Sequence, residues 1–305
     1  MALTDWITLN LTTRGPYNLK RTLETGHSSF PIPRTDKSNR YYLVISIPNT
    51  DKKVVARFYQ KSPSKVIADI ACYNQQVSEN EINDLKIHFR KILGLNMNVL
   101  EFYNQFKNDP IAPAFEHCNG VRLTAAHDYF ESLISSILTQ NSSVWKWVGQ
   151  VRKIKELMGN KYPTEHFMVF SFPDPKTLYR NKHMLKQARL GYREEYVIKT
   201  TKELANYQIR LNKLENVPTM KAKSELLKLK GIGSKVADMF LLYGLGKHDA
   251  PPTDIWIQRG VSKIFFKGKE KSLEECRDKL VSHYGKWAGL AQLYIFDWMR
   301  TVVKK

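Results

Sequence analysis

Residues 226–259, LLKLKGIGSKVADMFLLYGLGKHDAPPTDIWIQR, constrain the fold of this chain more than any other stretch. Gly231 and Gly233 flank one apolar residue between two helically patterned segments. Glycine lets a backbone turn tightly and approach a ligand closely. The spacing predicts two helices joined by a short turn and pinned together by Leu227, Leu229 and Ile232. Amides at the start of the second helix point outward, and the helix dipole makes that end a phosphate site. A purely structural turn closed by glycine fits the same letters. Lys235 follows two residues past the turn, and Pro251-Pro252 lead to one carboxylate, Asp254, at a helix N-cap position. An amine kept partly neutral by desolvation is a nucleophile. Lysine, glycine turn and aspartate together point to covalent chemistry on a nucleic acid.

The charge agrees. The 305 residues carry a formal net charge of +19, which favours polyanionic partners. An anionic membrane surface would suit the same charge, but no long segment reads as an amphipathic helix with one continuous basic face. No apolar run reaches the roughly 18 residues that span a bilayer. The N-terminus, MALTDWITLN, lacks a basic n-region and carries Asp5, so it does not read as a signal or transit peptide. Cys72, Cys118 and Cys276 lie far apart, which fits a reducing, intracellular compartment: the nucleus of a eukaryote or the cytoplasm and nucleoid of a prokaryote.

The pattern along the chain is α+β. Residues 41–48 are rich in β-branched and aromatic residues and 53–60 alternate, with Asn49-Thr50-Asp51 as the turn of a hairpin. From about Lys65 the spacing turns helical. Helices are expected over 82–92, 99–106, 129–138 and 144–158. The third is apolar on most of its circumference, so it is a buried central helix that delivers the polar cluster Thr139–Ser143. Asp174 is a helix cap, and Leu190-Gly191-Tyr192-Arg193 breaks one helix and starts another. An antiparallel sheet domain over 1–110 and a larger all-helical domain over 111–305 follow.

Several ordered stretches now carry a resemblance: YNLKRTLETGHSSF, FEHCNGVRLTAAHDYFESLISSILTQNSS, LGYREEYV, LKGIGSKVADMF, PPTDIWIQR and GLAQLYIFDWM. Together they span nearly the whole chain. They resemble the helix–hairpin–helix/Gly-Pro-Asp (HhH-GPD) superfamily of DNA glycosylases, in the branch of the 8-oxoguanine DNA glycosylase/apurinic-site lyases. The resemblance implies a bifunctional enzyme of base excision repair that acts on double-stranded DNA containing oxidised guanine, as a monomer. In that reading Lys235 attacks the sugar C1′ and Asp254 stabilises the charge that develops on the sugar. The target base must leave the helix to be reached.

The resemblance assigns further roles. Tyr192 and Arg193 wedge into the duplex and contact the orphaned partner base, and Asn141 fills the vacated space. Lys146 stands where an arginine is common, and lysine lacks the bidentate fork that reads cytosine. Phe296 stacks on the flipped base, Gln292 reads its edge, Met239 packs its other face and the Gly26 carbonyl accepts the extra N7 proton of the lesion. Asp238 caps or pairs within the base pocket, while Gly231, Gly233 and Trp256 lie along the phosphate backbone. Two departures stand out: Lys230 replaces the usual proline before the hairpin, and Trp256 a common histidine. The four-cysteine iron–sulfur pattern of sister branches is absent, so no cofactor is expected beyond a cation at the hairpin. Two other functions stay open: a monofunctional glycosylase for alkylated bases, and a lesion-binding hairpin protein without catalysis.

Overall fold

Five antiparallel strands form the N-terminal sheet: β1 Ile7–Thr12, β2 Arg34–Thr35, β3 Tyr41–Ser46, β4 Lys53–Ser62 and β5 Lys65–Cys72, in the order β1-β5-β4-β3-β2. The structure is a computed structural model and describes residues 4–28, 30–206 and 209–303. Ser29, in the Gly-His-Ser-Ser turn, and Met1–Leu3 of the N-terminus lie outside the described residues. The expected hairpin is β3–β4, closed at Ser46 opposite Lys53, with Asn49 in the left-handed region at φ 61°. Helix α1, Leu19–Glu24, precedes β2.

Strand β3 is buried on both faces, which explains its unbroken apolar run. Tyr41, Leu43 and Ile45 face α2, Glu79–Ile92, through Leu85 and Phe89. Tyr42 and Val44 meet a small two-stranded hairpin, β6 Lys161–Pro163 and β7 Met168–Phe170, through Val169. That second sheet lies in the part read from sequence as all helical. Its strands are three residues each, too short for a period of two to register.

The helices α3 Val99–Gln105, α4 Pro113–His117, α5 Tyr129–Leu138, α6 Val144–Met158, α7 Pro175–Arg180, α8 Arg193–Ala205, α9 Thr219–Leu227, α10 Ser234–Met239, α11 Ile255–Phe265, α12 Leu273–Tyr284 and α13 Ala288–Trp298 follow. Val99 and Phe102 of α3 share a core with Tyr294 and Ile295 of α13, whereas Ile92 to Leu95 belong to the sheet core. Core membership therefore changes between Leu95 and Val99, ahead of the division expected at residue 110. Helix α5 is buried from Phe130 to Leu138. Its one carboxylate, Glu131, is compensated by Lys155 of α6 at 2.9 and 3.1 Å. Burial of a charge demands such a partner. Asp174 caps α7, accepting from the Thr177 amide at 2.9 Å.

Candidate active site

The hairpin is built as its sequence dictates. Helix α9 turns into α10 through Gly231, at φ +88°, where an added Cβ would meet the Tyr196 ring at 2.3 Å. Leu226, Leu229 and Ile232 are buried at the joint, while Leu227 is 45% exposed. The expected pin at Leu227 is thus one residue off. Ala222 and Leu226, four apart, set the buried stripe of α9, and Leu227 falls outside it. Gly233 has open space around its Cα, so the start of α10 is unobstructed. The Gln140 side chain donates to the Gly231 carbonyl at 3.1 Å and ties the hairpin to the end of α5.

One cleft of ≈ 720 Å³ gathers the residues expected to do the chemistry: Lys235, Asp254, Gly26, Phe296, Asn141 and Trp256 all line it. Lys235 is half-buried on the first turn of α10, and its amine makes no hydrogen bond or ion pair among the described residues. Burial pulls its pKa below the ordinary lysine value, and Asp254 pulls it partly back. The neutral, nucleophilic form is therefore more available than on a surface lysine. Asp254 caps α11: Oδ1 accepts from the Trp256 amide at 3.0 Å and the Ile257 amide at 3.1 Å. The cap fixes the carboxylate without consuming Oδ2, which accepts no hydrogen bond among the described residues. Gly26 lies in the left-handed region at φ +78°, and a Cβ there would meet the Val144 side chain at 2.6 Å. Only glycine lets that turn approach the wall formed by α6.

The wedge residues meet as a group. Asn141, at φ 43°, donates through Nδ2 to the Tyr192 hydroxyl at 3.2 Å, and Tyr192 is 51% exposed. Arg193 has a different place from the one expected. It is buried, and its guanidinium donates to the carbonyls of Gln140 (through Nε at 2.7 Å), Asn141 at 2.8 Å and Leu190 at 3.3 Å. Its donors hold the chain that presents Asn141 and leave little for an orphaned base. Lys146 is exposed on α6 and does not line the cleft.

The base-pocket residues divide. Phe296 lines the cleft, but its face is covered by the His27 ring, with centroids 3.4 Å apart and planes at 11°. Gln292 is fully buried; its Oε1 accepts from the Tyr243 hydroxyl at 3.2 Å and its Nε2 meets His27 Nδ1 at 3.3 Å. Met239 is buried in the core that also holds Phe296, and Asp238 sits away from this cleft. Asp238 Oδ2 accepts from Lys223 at 2.7 Å and Arg277 Nε at 3.1 Å, joining α9, α10 and α12. Burial raises its carboxyl pKa against the pull of those cations. It borders a second cavity of ≈ 550 Å³ that is also lined by Lys235.

Three cleft residues carried no sequence signal of their own. His27 and Arg300 lie against Phe296; Arg300 places its guanidinium 5.1 Å from the Phe296 ring centre and donates to the Thr25 carbonyl at 2.9 Å. Trp145 lines the wall beside Asn141 and is 72% exposed. Adjacency to Lys146 was the available clue, because an exposed indole at the tip of a helix beside a polar loop has no packing reason to be there.

The chain matches no protein-family model. It is 30% identical over 229 residues to the probable N-glycosylase/DNA lyase of Methanothermobacter thermautotrophicus, covering 68% of this chain and 73% of that protein. The 8-oxoguanine glycosylase/lyase of Clostridium acetobutylicum superposes with a TM-score of 0.79 at 21% identity, covering 96% of this chain and 98% of the other. The 3-methyladenine DNA glycosylase of Archaeoglobus fulgidus superposes with a TM-score of 0.81 at 20% identity, covering 96% and 99%. At these identities the two solved structures share the fold with this chain.

Proposed function

The chain belongs to the N-glycosylase/DNA lyase family, and from that premise we propose that it excises 8-oxoguanine from duplex DNA, acting as a monomer, and then cuts the strand at the abasic site. The observation that carries this reading is the placement of an amine of lowered proton affinity and a capped carboxylate in one cleft with Gly26 and Phe296. The fold alone does not choose the lesion, since 3-methyladenine and 8-oxoguanine glycosylases both share it.

Lys235 attacks C1′ of the flipped nucleotide as the bond from C1′ to the base nitrogen breaks, and the base leaves with that electron pair plus a proton. Positive charge develops on the sugar ring, and the Asp254 carboxylate, fixed at the head of α11, stabilises it. The amine then loses a proton and the ring opens to an imine. Removal of a C2′ proton expels the 3′ phosphate, which is strand cleavage by β-elimination. Hydrolysis of the conjugated imine returns the free lysine. Water in place of the amine would release the base but leave the strand intact. For the lesion, the Gly26 backbone supports acceptance of the N7 hydrogen that 8-oxoguanine carries and guanine lacks, a single-group distinction of the kind that hydrogen-bonding sites make well.

Borohydride trapping tests the assignment. Borohydride reduces the imine and fixes the protein to a duplex containing 8-oxoguanine. The wild type is expected to trap, and Lys235→Gln to abolish trapping while still binding. A Gln variant that traps would overturn the role of Lys235. A wild type that releases base but nicks only after alkali would make this a monofunctional glycosylase.

A further inference from the structure

His27 follows Gly26 in the turn after α1, and its imidazole satisfies two contacts at once: a flat stack on Phe296 and a ring nitrogen against the Gln292 amide nitrogen at 3.3 Å. The Tyr243 hydroxyl holds Gln292 Oε1 and so turns the amide nitrogen toward the imidazole. These are the stacking face and the edge contact that a flipped base would use. Gln292 is fully buried and does not line the cleft, whereas His27 does. The ring therefore stands between the cleft and the residue that would read a base. Burial, with Lys235 and Arg300 nearby, holds the imidazole neutral, and a neutral Nδ1 is free to accept from the amide. An aromatic nitrogen heterocycle in that position has the chemistry of the ligand it excludes.

We propose that His27 is a placeholder that determines specificity: it occupies the base seat of the free enzyme, and a flipped base must displace it to reach Phe296 and Gln292. The proposal rests on the base-excision reading above. A base then gains only the difference between its own contacts and those of the imidazole, and specificity is such a difference. A base that matches the seat poorly leaves His27 in place and stays away from Lys235. A base that adds a hydrogen bond at Gly26 displaces it.

The test compares base release with nicking of a pre-formed abasic-site duplex, which has no base to seat. Single-turnover release from an 8-oxoguanine duplex is measured against protein concentration for the wild type, His27→Ala and His27→Phe. His27→Ala is expected to lower the half-saturating concentration for release, relative to that for nicking, by about tenfold, as follows when a seat open about one-tenth of the time becomes open always. It should also raise release of undamaged guanine relative to the lesion. His27→Phe keeps a ring on Phe296 and should show neither gain. Where the alanine variant does not fold, His27→Val fills the space without an aromatic face and gives the same contrast. An unchanged ratio overturns the proposal. Loss of release with nicking retained overturns it too, and makes the imidazole part of the platform on which the base sits. A wild type that fails to nick the abasic duplex overturns the lysine-imine reading itself, a result distinct from either.

Discussion

Lys235 is held where its charged form is disfavoured and its neutral form useful. Its pKa is depressed by burial and partly restored by Asp254. The signs of these two effects set two expectations. Asp254→Asn removes the restoring charge, so the lysine pKa falls further. The ascending limb of the pH–rate profile for base release should move toward acid, while the maximal rate drops by about 10² to 10³, as when a fixed group that stabilises developing charge is lost. A pH series on both proteins checks this, and a limb that stays in place would remove Asp254 from the electrostatics of the amine. The second expectation concerns stability. Between the depressed folded value and the ordinary lysine value, the unfolded chain binds more protons than the native one, so stability rises with pH across that window. Below the folded value both states are protonated and the burial penalty is fully present. Lys235→Gln removes it and should raise the melting temperature near neutral pH, by on the order of 2 °C. The advantage should shrink as pH approaches the ordinary value of 10.5. Thermal melts at several pH values decide it.

At the scale of elements, the cleft depends on chain ends being held at fixed places: the end of α5, the start of α10 and the start of α11. Arg193, from the first turn of α8, does this for α5 by donating to the Gln140 and Asn141 carbonyls. Arg193→Ala leaves buried carbonyls without partners and should cost roughly 1–3 kcal/mol in denaturant melts. It should also release Asn141 from its left-handed turn, lowering base release more than duplex affinity. Arg193→Lys keeps the charge on a single head and should restore at most part of the set. This role also shows where sequence stopped being informative. Lys235 and Asp254 were legible because glycine and proline fix backbone locally and leave few places for the side chains that follow. The β3–β4 hairpin and the helices over 129–138 and 144–158 were legible from local pattern alone. Strand β5, Lys65–Cys72, instead lies where the spacing was read as turning helical, because it is buried along nearly its whole length and shows no period of two. Arg193 was not legible, because two of the carbonyls it bonds, those of Gln140 and Asn141, are 53 and 52 residues away and no local pattern announces them. The stack of His27 on Phe296, the hairpin of β6 and β7 and the transfer of α3 to the helical core are long-range facts of the same kind.

Across the whole molecule the two halves of the chemistry rest on different supports. Lys235 and Asp254 belong to the helical part, on α10 and the head of α11. The proposed base seat is shared: Gln292 and Phe296 come from α13, and Gly26 and His27 from the turn after α1. Two arginines join these pieces. Arg300 reaches back to the Thr25 carbonyl, and Arg21 of α1 pairs with Asp297, the neighbour of Phe296, while also donating to the carbonyl of His117. His117, Cys118 and Asp297 come together closely enough to resemble a metal site, but the Arg21 guanidinium fills it: Nη2 lies 2.7 Å from His117 Nε2 as well as on the carboxylate. Burial and that guanidinium depress the His117 pKa, as suits a ring that accepts from arginine. This cluster is therefore a seam joining α1, the end of α4 and α13. Removing its cation exposes the division of labour. Arg21→Ala leaves the Asp297 carboxylate buried, with His117 at 3.3 Å, the Cys118 thiol at 3.7 Å and Arg300 at 4.0 Å as its remaining partners, at a cost of about 1–3 kcal/mol. The seat should loosen while the amine and carboxylate keep their places. Release of 8-oxoguanine should then fall by at least about tenfold, the effect of roughly 1.4 kcal/mol lost from transition-state binding, against a smaller change in nicking of a pre-formed abasic site. Parallel single-turnover assays on the two duplexes measure both rates. Equal losses would place Lys235 and Asp254 under the control of the same seam, and the shared seat would then have no energetic meaning of its own.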